Sequence, residues 1–276
     1  MFVDYHVHTE FSDDSVYPME SVVKDAIAMK MDELCFTDHV DYGIKDDWDS
    51  GKPIAYRGNA PFANVDYPRY IAEINRMQRL YGDKISIKTG LEFGIQSHTI
   101  PLYETLFHRY AFDFIILSIH QVKDKEFWTQ DFQQGRTQKE YNEQYYQEML
   151  DVMRLYKDYS VLGHLDLIIR YDKQGLYPFE KVKPMIAEIL RLAIADGKGI
   201  ELNTSYYRYG LQDSTPSKEI LSLYRDLGGE IITLGSDSHK PEHLGAYMKE
   251  GKALLKELGF QNFCTFDQMK AVFHKL

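Results

Sequence analysis

Seven β-leaning runs alternate with helical patterns along this chain, and each run stops on a polar or ionisable tail. The tails are HVH (6–8), TDH (37–39), GLEF (90–93), SIH (118–120), GHLD (163–166), ELN (201–203) and GSDSH (235–239). A strand–helix alternation of this kind calls for a parallel sheet covered by helices, either closed into a barrel or left open and doubly wound. Six of the ten histidines (His6, His8, His39, His120, His164 and His239) sit at five of these strand ends, with Glu92 at the same level on another and Asp237 sharing the last tail with His239. In a barrel the strand C-termini face one another across one mouth. Residues far apart in sequence would then meet.

The helical patterns are regular. PMESVVKDAIAMK places Pro18 at a helix start and Val22, Val23, Ala26 and Ile27 on one face. Residues 67–81, PLYETLFHRY, KEYNEQYYQEMLDVMRLYK, FEKVKPMIAEILRLAIADG, TPSKEILSLYRDLGG and MKEGKALLKELGF follow as further helices. Gly197 stops the fifth, and Pro184 is expected to lie near its true start. Thr215 or Ser217 is the expected cap of the sixth, with Pro216 in its first turn. Residues 41–66 have little periodicity and many turn formers, which predicts a long loop over a site; a second irregular segment runs to about 137. No internal linker interrupts the series, so residues 1–276 are expected to form a single α/β domain.

Composition narrows the function. A formal net charge of −10 disfavours a broad nucleic-acid footprint, and no nucleic-acid partner is expected. No apolar run is long enough to span a bilayer, and no basic segment leads into an apolar one at the N-terminus, so neither a membrane partner nor a secretory signal is expected. Cys35 and Cys264, each in apolar company, read as buried thiols of a cytoplasmic protein.

Six imidazoles and several carboxylates in one cup are costly without counter-charges or ligands. Divalent metal ions suit this mixture of nitrogen and oxygen donors, and the number of donors exceeds what one catalytic metal needs. Residues i and i+2 of a strand project to one side, so His6 and His8 can approach a metal together, and Asp237 and His239 can reach neighbouring metals. Glu92, alone on its strand with two oxygens, is the natural bridge. Arg170 lies just beyond GHLD and Arg208 beyond the ELN strand, both predicted on loops at the same face, where a guanidinium fork can grip phosphate. No dinucleotide, nucleotide-triphosphate or serine-hydrolase motif competes with this reading, and no organic cofactor is expected.

HVHTEFSDDS, TDH, GLEF, LSIH, GHLD and GSDSH, in that order, resemble the motif series of the polymerase-and-histidinol-phosphatase (PHP) superfamily, in particular its histidinol-phosphate phosphatase branch. The resemblance covers essentially the whole chain. It implies a distorted (β/α)7 barrel whose active site, at the C-terminal ends of the strands, holds three divalent metals, zinc, manganese or iron. By motif, His6, His8, Glu92 and Asp237 would hold the first, Glu92, His120 and His164 the second, and Asp14, His39 and His239 the third. Asp14 is preferred over Asp13. The phosphatase resemblance also places phosphate-binding arginines in the loops of Arg170 and Arg208.

The implied reaction is hydrolysis of L-histidinol phosphate to L-histidinol and inorganic phosphate, a step of histidine biosynthesis. A metal-bridging hydroxide would attack phosphorus in line, the phosphate resting among the metals, Arg170 and Arg208. Acidic residues and tyrosines of 41–66 or 124–137 are candidates for recognising the imidazole and amine, and metal-bound water or His98 for aiding the leaving group. Alternatives from other classes are a PHP phosphoesterase for another small monoester or phosphotyrosine, and a catalytically inactive metal-binding interaction module.

Overall fold

The structure, a computed structural model, describes residues 1–58 and 60–276. Seven of its strands make one parallel sheet: β1 (Val3–Val7), β2 (Glu33–Phe36), β6 (Ser86–Gly94), β7 (Phe114–Ser118), β10 (Val161–Leu162), β11 (Gly199–Asn203) and β12 (Ile232–Gly235), hydrogen-bonded in that order. The two-residue β3 (His39–Val40) continues the path of β2 and also pairs with β6. Beyond β12, Ser238 bridges Val7 of β1: His8 donates its N–H to the Ser238 carbonyl at 2.8 Å and Ser238 donates to His6 at 3.1 Å. That bridge brings the last strand back to the first. Of the two sheets the sequence allowed, the nearly closed barrel forms.

Helices connect the strands: α1 (Met19–Ala28), α2 (Tyr67–Tyr81), α3 (Ile100–Arg109), α4 (Gln138–Leu155), α5 (Phe179–Ala195), α6 (Lys218–Asp226) and α7 (Met248–Glu257). Their starts follow local chemistry. Thr137 and Glu140 form a reciprocal capping box on α4, and the Ser217 side chain accepts the Ile220 N–H at the start of α6. Ser217 is therefore the cap, and Pro216 precedes the helix. The expected start of α5 needs correction: the helix begins at Phe179 and carries Pro184 inside it. Proline removes one bond there, to the carbonyl of Glu180, whose residue is exposed, while Val182 and Ile186 on either side are buried in the core.

The loop expected over residues 41–66 carries a small hairpin, β4 (Ala55–Arg57) with β5 (Ala60–Phe62), and β8 (Gln121–Val122) with β9 (Lys125–Glu126) forms another in the following irregular segment. The end of the chain adds an antiparallel pair that the alternation of strands and helices did not predict, β13 (Asn262–Asp267) and β14 (Lys270–Lys275). Met269 donates to the Asp113 carbonyl just before β7, and the Tyr5 hydroxyl bonds both backbone groups of Phe266. Phe266 also packs on Phe114, centroids 5.1 Å apart. The hairpin thus seals the N-terminal end of the barrel and leaves the other end open. No helix among the described residues is long and apolar enough to cross a membrane.

Candidate active site

Glu92 is the hub of the open end. It sits near the end of β6, opposite His39 of β3 and Ile116 of β7, and is fully buried. Its Oε1 accepts the Ser118 hydroxyl at 2.7 Å and lies 2.8 Å from His164 Nε2 and 3.1 Å from His120 Nε2. Its Oε2 lies 2.9 Å from His39 Nδ1, 3.2 Å from His6 Nε2 and 3.6 Å from His8 Nε2. One carboxylate therefore fronts five imidazoles, divided between its two oxygens. His6 and His8, alternate residues at the end of β1, also converge on Asp237 Oδ1 at 3.7 and 3.6 Å. Asp14 Oδ2 stands 3.1 Å from His239 Nε2 and 3.5 Å from His39 Nε2. All nine residues expected to hold metal are thus gathered in one cluster. Asp13 turns away to Lys45.

Hydrogen bonds on the far side of the rings aim several donors inward. Ser12 gives its hydroxyl proton to Asp38 at 2.7 Å, so it accepts from His8 Nδ1 at 3.2 Å. Asp41 takes His120 Nδ1 at 2.8 Å, and the Asp237 carbonyl takes His239 Nδ1 at 3.0 Å. Each of these three rings therefore turns an Nε2 lone pair toward the cluster when neutral. A ring N–H fixed by a carboxylate, hydroxyl or carbonyl is the usual arrangement behind a metal-binding histidine.

The charges are mutually dependent. Burial opposes the imidazolium of His6, but Glu201, Glu92 and Asp237 raise its pKa well above the ordinary histidine value. Burial likewise opposes the cations of His39, held up by Asp14 and Glu92, and of His120, which Glu92 and Asp41 carry up to about 9. His8 goes the other way, lowered by burial and by the neighbouring His239 and His39. Burial would raise Glu92, yet the surrounding His6, His120 and His39 hold it well below the usual carboxylate range. Even so, His6 Nε2, His8 Nε2, His39 Nδ1 and Glu92 Oε2 are buried and make no aligned hydrogen bond among the described residues. Atoms this close that share no proton geometrically call for a common acceptor of their lone pairs. Among the described residues four groupings of three donors, including His8, His39 and His239, each have their ligand atoms within reach of a common ion. The cluster fits divalent metal ions.

Residues 4–205 match the PHP domain family. The chain belongs to the PHP family. The histidinol-phosphatase of Lactococcus lactis is 33% identical over 274 residues, covering 97% of this chain and 95% of that one. The probable histidinol-phosphatase of Thermotoga maritima is 25% identical and covers 99% of both chains. The crystal structure of the Lactococcus lactis histidinol phosphate phosphatase, complexed with zinc, L-histidinol and phosphate, superposes with a TM-score of 0.84 at 31% identity, covering 98% of each chain. Within the PHP family the chain lies in the histidinol-phosphatase branch.

The cluster of this PHP chain opens into a cleft of about 530 Å³. Arg170 and Arg208 both line it. Arg170 is buried beside Asp237, Nη2 to Oδ2 at 3.5 Å, bonds Ser205 and stacks on Tyr209. Arg208 donates to the carbonyls of Ser236 and Asp237 at 2.7 and 2.8 Å. Asp237 holds a left-handed backbone, φ +56°, so Arg208 supports a strained turn as well as facing the cleft. His98 is absent from the lining and pairs with exposed Asp124. Asp166 accepts the backbone N–H of Ser217 at the start of α6.

Sequence reasoning missed Asp41, Lys45 and Glu201. Asp41 supports His120 and bonds Lys45, a buried ammonium that also meets Asp13. Glu201 contacts His6 Nδ1 at 2.6 Å. The available signal was the ELN tail of the sixth run, whose glutamate stands at the same level as Glu92.

Proposed function

We propose that this chain is a metal-dependent phosphatase that hydrolyses L-histidinol phosphate to L-histidinol and inorganic phosphate, with residues 1–276 acting as one catalytic domain. The observation that carries this reading is the division of Glu92 between two sets of imidazoles beside a cleft lined by two arginines. A Lactococcus lactis relative described with zinc, L-histidinol and phosphate supports the choice of substrate.

In this reading three divalent metals, zinc, manganese or iron, are held: one by His6, His8, Glu92 and Asp237, one by Glu92, His120 and His164, and one by Asp14, His39 and His239. When bound, such ions supply Lewis acidity that offsets phosphate charge and eases deprotonation of the attacking water. Arg170, with its Nε buried and without a bond among the described residues, takes the phosphate oxygens together with the free N–H groups of Arg208. Those contacts hold phosphorus in line with the attack, and the configuration inverts. The alcohol lies toward Glu126, Trp128 and Tyr171, which line the outer cleft. Arg57 spans the ring faces of Phe62 and Trp128 at 4.0 and 4.5 Å and lies 3.7 Å from Glu126, tying the two irregular segments together there. A carboxylate among aromatic faces suits a cationic amine or imidazole. Two buried free thiols agree with a reducing, cytoplasmic setting.

The test is a phosphatase assay of the metal-loaded protein with histidinol phosphate against a panel of small monoesters. Preferential turnover of histidinol phosphate with inversion at a chiral phosphorus is expected. Preference for another ester would overturn the substrate, retention would overturn direct attack, and no turnover after verified loading would favour an inactive metal-binding module.

A further inference from the structure

Glu201 belongs to β11, is 1% exposed and faces the barrel interior behind His6 rather than in the cleft. Its Oε1 lies 2.6 Å from His6 Nδ1, while its Oε2 accepts the backbone N–H of His164 at 2.9 Å and the side-chain amide of Asn203 at 3.3 Å. The Asn203 amide is oriented independently, because its Oδ1 accepts the Ser205 N–H at 3.0 Å and its Nδ2 is left to face Glu201. Both oxygens of Glu201 therefore have assigned donors, on three different segments of chain.

We infer that Glu201 is a positioning residue that fixes the tautomer of His6 and the backbone of His164, and thereby sets the metal affinity of the cluster; this rests on the metal-site reading proposed above. A carboxylate has no proton to give, so the proton between Glu201 and His6 resides on Nδ1. When the ring is neutral, as a metal ligand must be, Nε2 keeps its lone pair, directed at the space it shares with Glu92 Oε2 and Asp237 Oδ1. The second oxygen acts on the backbone. His164 has φ +21°, a conformation unfavourable for a residue with a side chain, and the Glu201 bond tethers its N–H on the side away from the cleft. One carboxylate thus aligns two imidazoles that approach Glu92 from different strand ends.

The neighbouring sequence makes room for this contact. A Cβ added to Gly235 would stand 2.3 Å from Glu201 Oε1 and 2.3 Å from the Cβ of His6. The glycine that opens GSDSH is the space in which the pair meets.

Glu201→Gln separates this role from simple packing, because it preserves volume and changes only hydrogen-bond polarity. Two donors face the Oε2 position, so the amide oxygen takes that side and the NH2 turns to His6. Nδ1 must then accept, the proton moves to Nε2, and the lone pair is lost from the cluster. Zinc is the probe, followed by chelator competition, with nitrogen-15 NMR of the labelled histidines. Zinc-loaded unmodified protein should show His6 protonated at Nδ1, and the variant should bind at least one zinc roughly 10–100-fold more weakly. A folded Glu201→Gln protein with unchanged zinc affinity overturns the inference and leaves the metal-site reading standing. If the variant does not fold, the unmodified protein decides, since an unprotonated His6 Nδ1 overturns it equally. Failure of the unmodified chain to bind zinc at all overturns both.

Discussion

Glu92→Gln removes a negative charge from the centre of the site while leaving its shape intact. The consequence for the metal-free protein follows from the imidazoles around it. His120 moves from an ordinary 6.5 to about 9: burial opposes the shift, and Glu92 and Asp41 overcome it. That difference corresponds to roughly 3 kcal/mol of preference for the imidazolium. Asp41 shares this preference, but Glu92 supports His6 and His39 as well. Removing one partner from a buried ion pair costs about 3–5 kcal/mol by general experience, the same order. The expected loss is therefore about 3 kcal/mol, which in a chain of this size lowers Tm by roughly 6–12 °C.

The pH window gives this prediction its discriminating power. A histidine whose folded pKa is raised contributes stability that is complete below its unfolded pKa of 6.5 and fades as pH rises through about 9. Glu92, whose folded pKa is depressed, contributes stability above its ordinary 4.5 that is lost as pH falls through its lower folded value. The gap between Glu92→Gln and the unmodified protein should be widest between about pH 4.5 and 6.5 and should narrow toward pH 9. Urea unfolding of both proteins after chelation, at several pH values, measures it directly. Equal stability at pH 6 would refute the assignment of Glu92 as the counter-charge of these imidazoles, and full metal content in the variant would refute its role as bridge.

Arg208→Ala should lower metal content as well as kcat, because Arg208 holds the carbonyls of Ser236 and Asp237; normal metal content with a raised KM would assign it to phosphate alone. Arg170→Ala should weaken inhibition by inorganic phosphate about 10–100-fold, the worth of one or two charge-assisted hydrogen bonds; an unchanged inhibition constant would remove it from the phosphate site. Metal loading at pH 7 should release protons, since His6, His39, His120 and His239 all have raised pKa values in the metal-free chain, and calorimetry in buffers of different ionisation enthalpy should detect this. Phe266→Ala should cost about 3–5 kcal/mol in urea unfolding while leaving kcat per folded molecule near normal, because the hairpin seals the end of the barrel opposite the cleft.

The barrel was legible because its strands are buried on both faces and read as apolar runs, each followed by an amphipathic helix. What sequence left open was closure. The bridge between Val7 and Ser238 joins residues 231 positions apart and leaves no local trace, since it consists of backbone hydrogen bonds. The terminal hairpin escaped for a different reason. Its outer strand is largely exposed, its inner strand buries Phe263, Cys264 and Phe266 against strand beginnings, and a strand–helix count contains no slot for it. Proline favours a helix start, but α5 carries Pro184 inside it because a helix with well-buried neighbours tolerates one missing bond.

The site divides along the same line between what a residue type announces and what only its surroundings reveal. Histidines at strand ends declare themselves, and the nine residues assigned by motif lie together, with Glu92 and Asp237 among them at the centre. The groups behind them are ordinary residues: Ser12, Asp41 and Glu201 acquire meaning only through the ring nitrogen each one meets, and Asp38 only through the Ser12 hydroxyl it orients. Yet those partners decide which imidazole nitrogen has a lone pair to offer. A cluster with the same histidines but donors behind the rings would present N–H groups inward and repel a cation. The ordered motifs therefore locate the metal chemistry, while the acceptors behind His6, His8, His120 and His239 determine that the cluster can perform it.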